Sequence, residues 1–487
     1  MAKKIMILGT MSGVGKSFIT AGLLRIFKEE GFKAAPFKSQ NMALNSYVTK
    51  DGLEIGRAQA MQAEAAGAEI EAAMNPILLK PAGDMRSQVI LMGEPAKNMT
   101  AKEYYEEKSG FIPVIEEAFN KLDRENDVIV LEGAGSPAEI NLNRDDIVNI
   151  GMAKIAKAPC LLVGDIDRGG VFAQLKGTLD LLTKDERRYV KGSIVNRFRG
   201  DMEIFKEGRN LIQKITGLPV LGVVPYMDIS LDDEDSLSDS LNNRTPGELL
   251  DVAAIRFPRI SNFTDLEPFR LVKGAGVRFV SSPEELGKPD ILILPGTKNT
   301  LGDLKWMRSR GLDAGIKEYA EKGIIFGICG GFEMLGESIE DPLGIEEKGS
   351  EPGLGLLDIN TVITEKKVRK QVSGKISGVT GPLSKLNGLT FEGYEIHVGE
   401  MVKEGELPPL IQKGNAYGTF IHGFFDRKEI LETVINAAAE RKGLDGSFKA
   451  FDMKEHKEKQ YSALSEGLRK SLDMSAIREI MEGGITV

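Results

Sequence analysis

Cysteine, histidine and tryptophan are scarce in this chain of 487 residues, which contains two cysteines, three histidines and one tryptophan. Two cysteines cannot form a disulfide framework, and with so few histidines they leave little from which to build a zinc cluster. Such sparing use of cysteine is typical of a reducing compartment, so we expect a cytoplasmic protein. No run approaches the roughly 18 consecutive apolar residues of a membrane-spanning helix, so we expect no membrane span.

Positive charge is in deficit. The 63 lysines and arginines are outnumbered by 72 aspartates and glutamates, which gives a formal net charge of -9. Binding to nucleic acid without regard to its sequence needs a basic face, so this balance argues against a nucleic-acid partner. At roughly 100–200 residues per domain, the length predicts two or three domains, each able to bury its own core.

Short apolar runs alternate with longer amphipathic ones, which is typical of a parallel β-sheet wrapped by helices. In the first half we predict strands at Lys4–Leu8, Val128–Leu131, Cys160–Val163, Ser193–Asn196 and Leu221–Val224. A second alternating block predicts strands at Asp251–Phe257, Val277–Val280, Asp290–Leu294, Gly323–Ile328 and Tyr417–Ile421. The predicted fold class is therefore α/β, with two parallel-sheet domains in succession.

An acidic, turn-rich stretch over residues 231–248 separates the two blocks, and we interpret it as a linker. The predicted organisation is a first domain over 1–230, the linker, a second domain over 249–440 and a helical extension over 441–487. In that extension the charged segment 454–460 is predicted to be a solvent-facing helix surface rather than a binding site.

A glycine-rich loop follows the first predicted strand and opens the first helix, which is the setting of a nucleotide phosphate loop. Its sequence is Gly9-Thr-Met-Ser-Gly13-Val-Gly15-Lys16-Ser17. Its small residues let backbone N–H groups point at phosphates, Lys16 can reach the β and γ oxygens, and Ser17 can bind Mg²⁺. The usual Gly-x4-Gly-Lys-Ser spacing needs a glycine where Thr10 stands, so this loop is one residue longer than usual. The alternative interpretation is an ordinary glycine turn that happens to precede a Gly-Lys-Ser sequence.

Polar side chains also follow other predicted strands of the first domain. Because ligands bind beyond the carboxyl ends of parallel strands, Glu132 is a candidate Mg²⁺ ligand beside Ser17, although a helix cap or a surface turn also explains it. Asp165 and Arg168 follow the next strand along the chain. Asn196 ends the one after that and is a candidate for binding adenine, with turn formation as the alternative.

A second motif, Gly327-Ile-Cys329-Gly-Gly331, turns an apolar strand into a helix. In this elbow small neighbours permit a tight turn that lifts the central side chain out of the sheet, so Cys329 is the candidate nucleophile. A helix N-terminus favours the thiolate, so we expect attack to be feasible near neutral pH. Cys160 instead begins a buried apolar strand, and we interpret it as a packing residue.

A cysteine nucleophile needs a proton partner, and the chain offers His397, His422 and His456. A strand delivers His422 to a glycine turn, so we assign it as the general acid and base, with His397 as the alternative. His456 lies in the charged C-terminal tail. The backbone N–H groups of Gly330 and of Gly296, which lies in a glycine turn after a neighbouring strand, are candidates for an oxyanion hole.

These motifs resemble those of known families. The phosphate loop resembles that of dethiobiotin synthetase and its relatives, which phosphorylate a carboxylate, and the second domain resembles class I glutamine amidotransferases, which release ammonia from glutamine. Their combination looks like the corrinoid amidotransferases, which comprise the cobyric acid and the cobyrinic acid a,c-diamide synthases. Segments 36–49, 75–81, 165–170 and 196–201 are similar to the first of these two branches.

The resemblance implies a ligase that uses ATP and Mg²⁺, takes its ammonia from glutamine and acts on a corrinoid in cobalamin biosynthesis. In this branch ATP activates the b, d, e and g side-chain carboxylates of adenosylcobyrinic acid a,c-diamide, and ammonia then converts each to an amide. The resemblance also places Lys38, Gln40 and Asn41 on the wall that faces nucleotide and corrinoid, with Asp165 and Arg168 as further substrate-side candidates. A polar loop is the alternative for the first three.

Two positions depart from the pattern of class I amidotransferases. Many members carry a glutamate two residues after the histidine, to orient it, where this chain has Phe424. Because the corrinoid enzymes also lack it, the resemblance implies a Cys–His dyad. Four residues after Cys329, where glutamine is common, stands Glu333, so we expect the glutamine pocket to differ from the usual one.

Three alternative hypotheses belong beside this one. A non-catalytic nucleotide-dependent switch protein has a related phosphate loop, but it usually places a lysine where this chain has Met11, and it has no use for a cysteine elbow. CTP synthase couples ATP to an amidotransferase whose histidine has the orienting glutamate. A cobyrinic acid a,c-diamide synthase would amidate two carboxylates rather than four.

Overall fold

The structure, a computed structural model, describes residues 1–83, 86–141, 145–231, 249–402 and 407–485. Its strands are β1 Lys3–Gly9, β2 Ala34–Phe37, β3 Gln40–Met42, β4 Ser46–Val48, β5 Glu54–Gly56, β6 Ile77–Gly83, β7 Arg86–Leu91, β8 Glu94–Thr100, β9 Val128–Glu132, β10 Cys160–Asp165, β11 Val190–Phe198, β12 Val220–Pro225, β13 Leu250–Ile255, β14 Ala275–Val280, β15 Ile291–Leu294, β16 Ile324–Ile328, β17 Ser338–Asp341, β18 Gly349–Pro352, β19 Asn360–Lys375, β20 Thr390–Met401, β21 Ile411–Lys413, β22 Ala416–Thr419 and β23 Ile421–His422. Apart from its first residue, the predicted linker over 231–248 lies outside the described residues.

The helices are α1 Lys16–Glu29, α2 Arg57–Ala66, α3 Ala101–Glu107, α4 Ile112–Glu125, α5 Ile150–Ala156, α6 Val171–Leu181, α7 Lys184–Arg187, α8 Phe205–Thr216, α9 Glu267–Arg270, α10 Pro283–Leu286, α11 Thr300–Ser309, α12 Leu312–Ala320, α13 Gly330–Met334, α14 Lys428–Lys442, α15 Met453–Ser471 and α16 Met474–Gly483. Within the described ranges, none of them has both the length and the apolar character needed to cross a membrane.

Six parallel strands form the first sheet, in the order β12-β11-β10-β1-β9-β2. It contains all five strands predicted for the first half of the chain. Strands β9 and β10 are buried at every position, as expected for a sheet covered by helices on both faces. Because β1 lies beside β9, the loops that follow these two strands leave the same edge of the sheet side by side.

The second sheet has the order β14-β13-β15-β16-β22-β21, and all its pairings are parallel except that of β21 with β22. The prediction of one strand over Tyr417–Ile421 is wrong. Strand β22 ends at Thr419, and β23 pairs with β20 in a different sheet. The Thr419 hydroxyl accepts the Ile421 N–H at 3.1 Å, which turns the chain between the two strands and carries His422 away from the second sheet.

Three smaller sheets were not predicted. They have the orders β18-β17-β19-β20-β23, β3-β6-β7-β8 and β4-β5. Their longest strand, β19, reads NTVITEKKVRKQVSGK and is half-buried or exposed over most of its length, so it lacks the continuous apolar run that marks the strands of the two large sheets. These small sheets matter because β4 of the first half contacts β19 and β20 of the second half.

The C-terminal helices α15 and α16 pack on the first sheet rather than on the domain that precedes them in the chain. Leu464 and Leu468 of α15 lie against Gly22 of α1, where a side chain would come within 2.2 Å of the Leu468 Cδ1 atom. Arg25 of α1 donates to Glu458 at 2.8 Å. Glu458, which belongs to the segment 454–460 that was predicted to face solvent, therefore faces α1.

The two halves of the chain meet around β4. The Ser46 N–H donates to Asn262 Oδ1 at 3.0 Å, and the Tyr394 hydroxyl donates to the Ser46 carbonyl at 2.9 Å. Val48, Tyr394 and Ile396 form a small buried apolar cluster beside these bonds. A strand of the first half is thereby held directly against β20 of the second half.

Candidate active sites

The predicted phosphate loop joins β1 to α1. Gly13 and Gly15 have φ angles of 74° and 97°, which only glycine adopts readily, and Gly15 is the N-cap of α1. The buried Asn196 side chain supports the loop from beneath, because its Nδ2 atom donates to the Val14 carbonyl at 2.8 Å. A side chain on Gly15 would come within 2.2 Å of the same amide. Asn196 thus holds the loop in shape, and its proposed contact with adenine stays a prediction.

Two basic side chains lie at this loop. Lys16 Nζ donates to the carbonyls of Met11 and Gly135, at 3.2 and 3.0 Å, which holds the ammonium over the loop. The Arg168 guanidinium, half exposed, lies beside Gly13, with Nη2 3.9 Å from the point where a Cβ on that glycine would stand. Together with the N-terminus of α1, they make the loop a site for an anion such as a phosphate group.

Glu132 lies at the carboxyl end of β9 beside the loop, and its carboxylate is the centre of a buried polar cluster. Its Oε1 atom accepts from Ser17 Oγ and from Lys38 Nζ, both at 3.0 Å, and its Oε2 atom accepts from Gln62 Nε2 at 2.5 Å. The structure thus brings together the predicted residues Ser17, Glu132 and Lys38, and it adds Gln62, which sequence reasoning missed.

The oxygen atoms of Ser17 and Glu132 fit a magnesium ion, which prefers hard oxygen ligands and keeps several waters or phosphate oxygens. The described residues contain no group of three or more histidine, cysteine, aspartate or glutamate side chains able to hold a metal by themselves. A magnesium ion in this place therefore depends on the phosphate oxygens of a bound nucleotide.

The other predicted substrate-side residues are used inside the protein. Asp165 is fully buried and accepts from the Asp167 N–H at 2.8 Å and from Arg197 Nη1 at 3.0 Å. Gln40 Oε1 accepts from the Tyr104 hydroxyl at 2.6 Å, and the buried Asn41 donates to Gln59 at 3.1 Å. Of the segment 38–41, Lys38 reaches the Glu132 cluster, whereas Gln40 and Asn41 have their side chains in contacts with other parts of the first domain.

The cysteine elbow in the second half has the predicted geometry. Cys329 follows β16 with φ 52° and ψ -115°, an uncommon conformation for a residue with a side chain. A Cβ on Gly331 would lie 2.0 Å from the Leu294 carbonyl oxygen, and one on Gly327 would lie 2.6 Å from the Gly331 oxygen. Only glycine fits at either position, so the tight turn depends on both.

The expectation that the thiolate is favoured is wrong for the protein without substrate. Burial raises the pKa of the Cys329 thiol above its usual range, and the nearby Glu333 raises it further when it is ionised. The Gly330 N–H, which hydrogen-bonds the sulfur, opposes this effect but does not outweigh it. Because the thiol is the stable form, Cys329 needs a base. Burial likewise raises the pKa of Cys160, in keeping with a packing role.

His422 is almost completely buried, and an aspartate that sequence reasoning missed holds its ring. His422 Nδ1 donates to Asp265 Oδ2 at 2.7 Å, and the Gly423 N–H donates to Oδ1 at 2.8 Å. The predicted dyad is therefore incomplete, because Asp265 supplies the orienting carboxylate that is absent at Phe424. With Nδ1 donating, Nε2 is the ring nitrogen left without a proton, and His422 lines the same pocket as Cys329. Proton transfer between the two stays a prediction.

The other two histidines are placed differently. His397 lines the same pocket as Cys329 and His422, but its ring stacks on Phe420 with 3.7 Å between centroids, and its Nδ1 atom lies 2.7 Å from the Gly399 carbonyl. Among the described residues its carboxylate neighbour is Glu395, which lies 3.7 Å from the Nε2 atom, farther than Asp265 lies from His422. His456 lies on α15, which packs on the first sheet.

The two predicted oxyanion-hole glycines lie next to residues that line this pocket. A Cβ on Gly296 would stand 3.3 Å from His422 Cε1, and one on Gly330 would stand 2.6 Å from Thr297 Cγ2 and 3.3 Å from Thr297 N. Gly296 is therefore next to the histidine, and Gly330 is next to the turn that contains Gly296. Their role in binding an oxyanion stays a prediction.

Glu333 occupies the position where related elbows carry glutamine, and its surroundings keep it largely neutral. Burial raises its pKa to about 8, and the charge of Glu346 adds to this effect. The Thr300 hydroxyl donates to Glu333 Oε2 at 2.9 Å. A protonated glutamate is close to glutamine in shape and carries no charge, so the departure at this position is smaller than the sequence indicates.

The fold and these two sites define a two-domain, ATP-dependent glutamine amidotransferase. Residues 5–236 match the CobQ/CobB/MinD/ParA nucleotide binding domain, and residues 251–430 match the CobB/CobQ-like glutamine amidotransferase domain. The second match spans Cys329, His422 and Asp265.

Full-length relatives identify the family. A cobyric acid synthase from Ruminiclostridium cellulolyticum is 53% identical, with 100% of this chain and 98% of that protein covered. A cobyric acid synthase from Lachnoclostridium phytofermentans is 49% identical, and the match covers 100% of both chains. One from a Thermoanaerobacter species is 48% identical, and the match covers 99% of both chains. The chain belongs to the cobyric acid synthase family.

Proposed function

We propose that this protein uses ATP and glutamine to amidate the b, d, e and g side-chain carboxylates of adenosylcobyrinic acid a,c-diamide in cobalamin biosynthesis. The observation that carries the proposal is the presence, in one chain of this family, of the Cys329–His422–Asp265 arrangement and the Lys16–Glu132 phosphate site. A glutaminase supplies ammonia, and a kinase-like site creates the acyl phosphate that ammonia attacks.

In the glutaminase half, His422 Nε2 takes the proton of Cys329, and the sulfur attacks the carboxamide carbon of glutamine. Collapse of the tetrahedral intermediate breaks the C–N bond, and His422 returns the proton to the departing ammonia. Water then hydrolyses the thioester to glutamate. Asp265 stabilises the imidazolium that exists between the two proton transfers, and the N–H groups of Gly296 and Gly330 donate to the oxyanion.

In the synthetase half, a corrinoid carboxylate attacks the γ-phosphorus of ATP, and ammonia then displaces phosphate from the acyl phosphate to leave an amide. Lys16, the N–H groups of the loop from Gly9 to Gly15 and the N-terminus of α1 bind the phosphates and offset the charge on the transferred group. Ser17 and Glu132 are the side chains to hold Mg²⁺, which supplies further positive charge when bound. Arg168, beside the loop, attracts an anionic group of either substrate.

We also propose the domain boundaries predicted above: residues 1–230 for the synthetase half, 231–248 for the linker, 249–440 for the glutaminase half and 441–487 for the extension. The family matches, which end at 236 and begin at 251, support the first three. The packing of α15 on α1 supports treating the extension as a separate piece. We propose a cytoplasmic location, in agreement with two unpaired cysteines.

Two variants test the halves separately. Cys329→Ala should abolish amidation with glutamine and leave amidation with added ammonium intact, with Cys160→Ala as the matched control. Lys16→Ala should abolish amidation with either nitrogen source, with Lys28→Ala, at the far end of the same helix, as the control. Loss of both activities in Cys329→Ala, or retention of synthesis in Lys16→Ala, would overturn the division of labour.

Mass spectrometry of the corrinoid product identifies the substrate. Incubation with adenosylcobyrinic acid a,c-diamide, ATP and glutamine should convert four carboxylates to amides. Action on cobyrinic acid instead, with two amides added at a and c, would assign the protein to the neighbouring branch. ATP hydrolysis without any amide product would favour a nucleotide-dependent switch protein.

A further inference from the structure

The pocket beside Cys329 and His422 is lined by residues from both halves of the chain. Besides Cys329, His397 and His422, its ionisable lining consists of Lys298, Glu333, Glu346 and Lys367 from the second half and Lys80 from the first half. Lys80 belongs to β6. The neighbour of β6 in its sheet is β3, which lies next to the nucleotide site. A pocket built only from the glutaminase half would therefore lack one of its charged groups.

A buried carboxylate fixes Lys80 in this position. Glu54 is fully buried, and it accepts from Lys80 Nζ at 2.8 Å through one oxygen and from Lys367 Nζ at 2.5 Å through the other. The Ser46 hydroxyl accepts a second bond from Lys80 at 3.0 Å. In the part of the chain that the structure describes, these are the two partners of Lys80, and since an ammonium group has three donors, one donor is left for a further partner. Glu54 and Ser46 thus hold the lysine at the seam between the two halves.

Lys80, Lys298 and Lys367 bring more positive charge to this side of the pocket than the Glu54 carboxylate neutralises. Although burial alone would raise it, the pKa of Glu54 is held well below its usual range by Lys367 and Lys80, so this carboxylate is ionised. Burial lowers the pKa of Lys367 to about 7, and the charges of Lys80 and Lys298 lower it further against the effect of Glu54. Burial also raises the pKa of Glu346, the carboxyl group near Lys298 in this pocket, to about 7, which reduces its negative charge. An additional anion beside Lys80 and Lys367 is therefore favoured, because it stabilises the charged form of a buried lysine.

The substrate of the glutaminase half carries such an anion. When the carboxamide carbon of glutamine is placed at Cys329, its α-carboxylate lies in the same pocket and has to find positive charge there. Lys80 lines the same pocket as Cys329. It is therefore within reach of a small substrate bound at the sulfur.

We propose that Lys80, together with Lys367, binds the α-carboxylate of glutamine, so that the synthetase half completes the glutamine site of the glutaminase half. This inference rests on the proposed glutaminase function of Cys329. It makes Lys80 a specificity residue that touches the substrate and Glu54 a positioning residue that acts through it. Glutamine binds well only when the two halves are docked.

The test compares Lys80→Met with Lys97→Met, which removes an exposed lysine from the same small sheet. In the full-length protein, Lys80→Met should raise the KM for glutamine about ten- to a hundredfold, the loss expected for a hydrogen bond to a charged group. Amidation driven by ammonium should keep its rate, because that route does not use the glutamine pocket. Lys80→Arg should recover part of the affinity, and Lys97→Met should match the wild type.

A second substrate separates recognition of the carboxylate from a structural effect. L-Glutaminamide carries a neutral amide in place of the α-carboxylate, so ammonia release from it should be poor in the wild type. The preference for glutamine over glutaminamide should shrink at least tenfold in Lys80→Met. An unchanged preference, an unchanged KM for glutamine, or loss of the ammonium-driven reaction would each overturn the inference. Failure of the proposed function is distinguishable, since it would appear as ammonia release that does not depend on Cys329.

Discussion

Replacing Asp265 by asparagine removes the negative charge next to His422 and leaves the shape of the side chain nearly unchanged. The carboxylate has two partners in the structure, His422 Nδ1 at 2.7 Å and the Gly423 N–H at 2.8 Å. An asparagine that keeps its oxygen on Gly423 turns its NH₂ group toward Nδ1. The ring then has to carry its proton on Nε2, where it cannot accept one from Cys329.

The size of the effect follows from the charges. The imidazolium forms only after Cys329 has given up its proton, so the carboxylate acts mainly on the transition state and on kcat. Two unit charges about 4 Å apart attract each other by about 4 kcal/mol at an effective dielectric constant of about 20. Both side chains are more than nine-tenths buried, so solvent screens this interaction little. At 1.4 kcal/mol per factor of ten, the expected loss is about a thousandfold.

The assay follows glutamate release and amide formation at saturating ATP and corrinoid. Asp265→Asn should lose glutamine-dependent activity and keep ammonium-dependent activity, and the KM for glutamine should change little. Asp358→Asn, which removes an exposed carboxylate of the same half paired with Lys413, is the control. A glutamine-dependent kcat within threefold of the wild type would refute the assignment of Asp265 as the residue that orients and stabilises His422.

Three further substitutions test other parts of the structure. Burial raises the folded-state pKa of Glu333 to about 8 from a usual value near 4.5, so its contribution to stability is present below pH 4.5 and is lost as pH rises through 8. Glu333→Gln should keep glutaminase activity at pH 7. It should also make the decrease in unfolding free energy between pH 5 and pH 8, measured with urea, smaller by on the order of a few kcal/mol. Gly331→Ala places a methyl group 2.0 Å from the Leu294 carbonyl oxygen, so it should abolish glutaminase activity and lower the Tm. Leu468→Ala empties a fully buried site against Gly22 of α1 and should cost about 2–5 kcal/mol of unfolding free energy, read from the urea midpoint.

The sequence predicts those parts of the molecule whose signal is local. Each strand at the centre of the two large sheets is a short buried apolar run bounded by turns, which is why β9 and β16 are found close to their predicted ends. The phosphate loop and the elbow are likewise contiguous motifs, in which glycines are required by φ angles or by contacts under 3 Å. Neither feature needs knowledge of the tertiary structure.

Asp265 shows what sequence reasoning misses. It is 157 positions from His422 and lies in a short helical turn, Phe263–Leu266, whose sequence has no marked motif. Only the parallel order of the sheet brings the loop after β13 to the histidine. A signal was nevertheless available, because a carboxylate in a loop at the carboxyl edge of the second sheet is a candidate partner for any catalytic histidine there.

The two active sites are connected by a short stretch of chain that touches both. Glu54, at the start of β5, pairs with Lys80 and Lys367 at the glutamine pocket, and Gln62, eight residues later on α2, donates to Glu132 at the phosphate site. The segment between them is a strand, β5, that runs directly into the helix α2. One continuous strand–helix unit therefore contributes a buried side chain to each of the two sites.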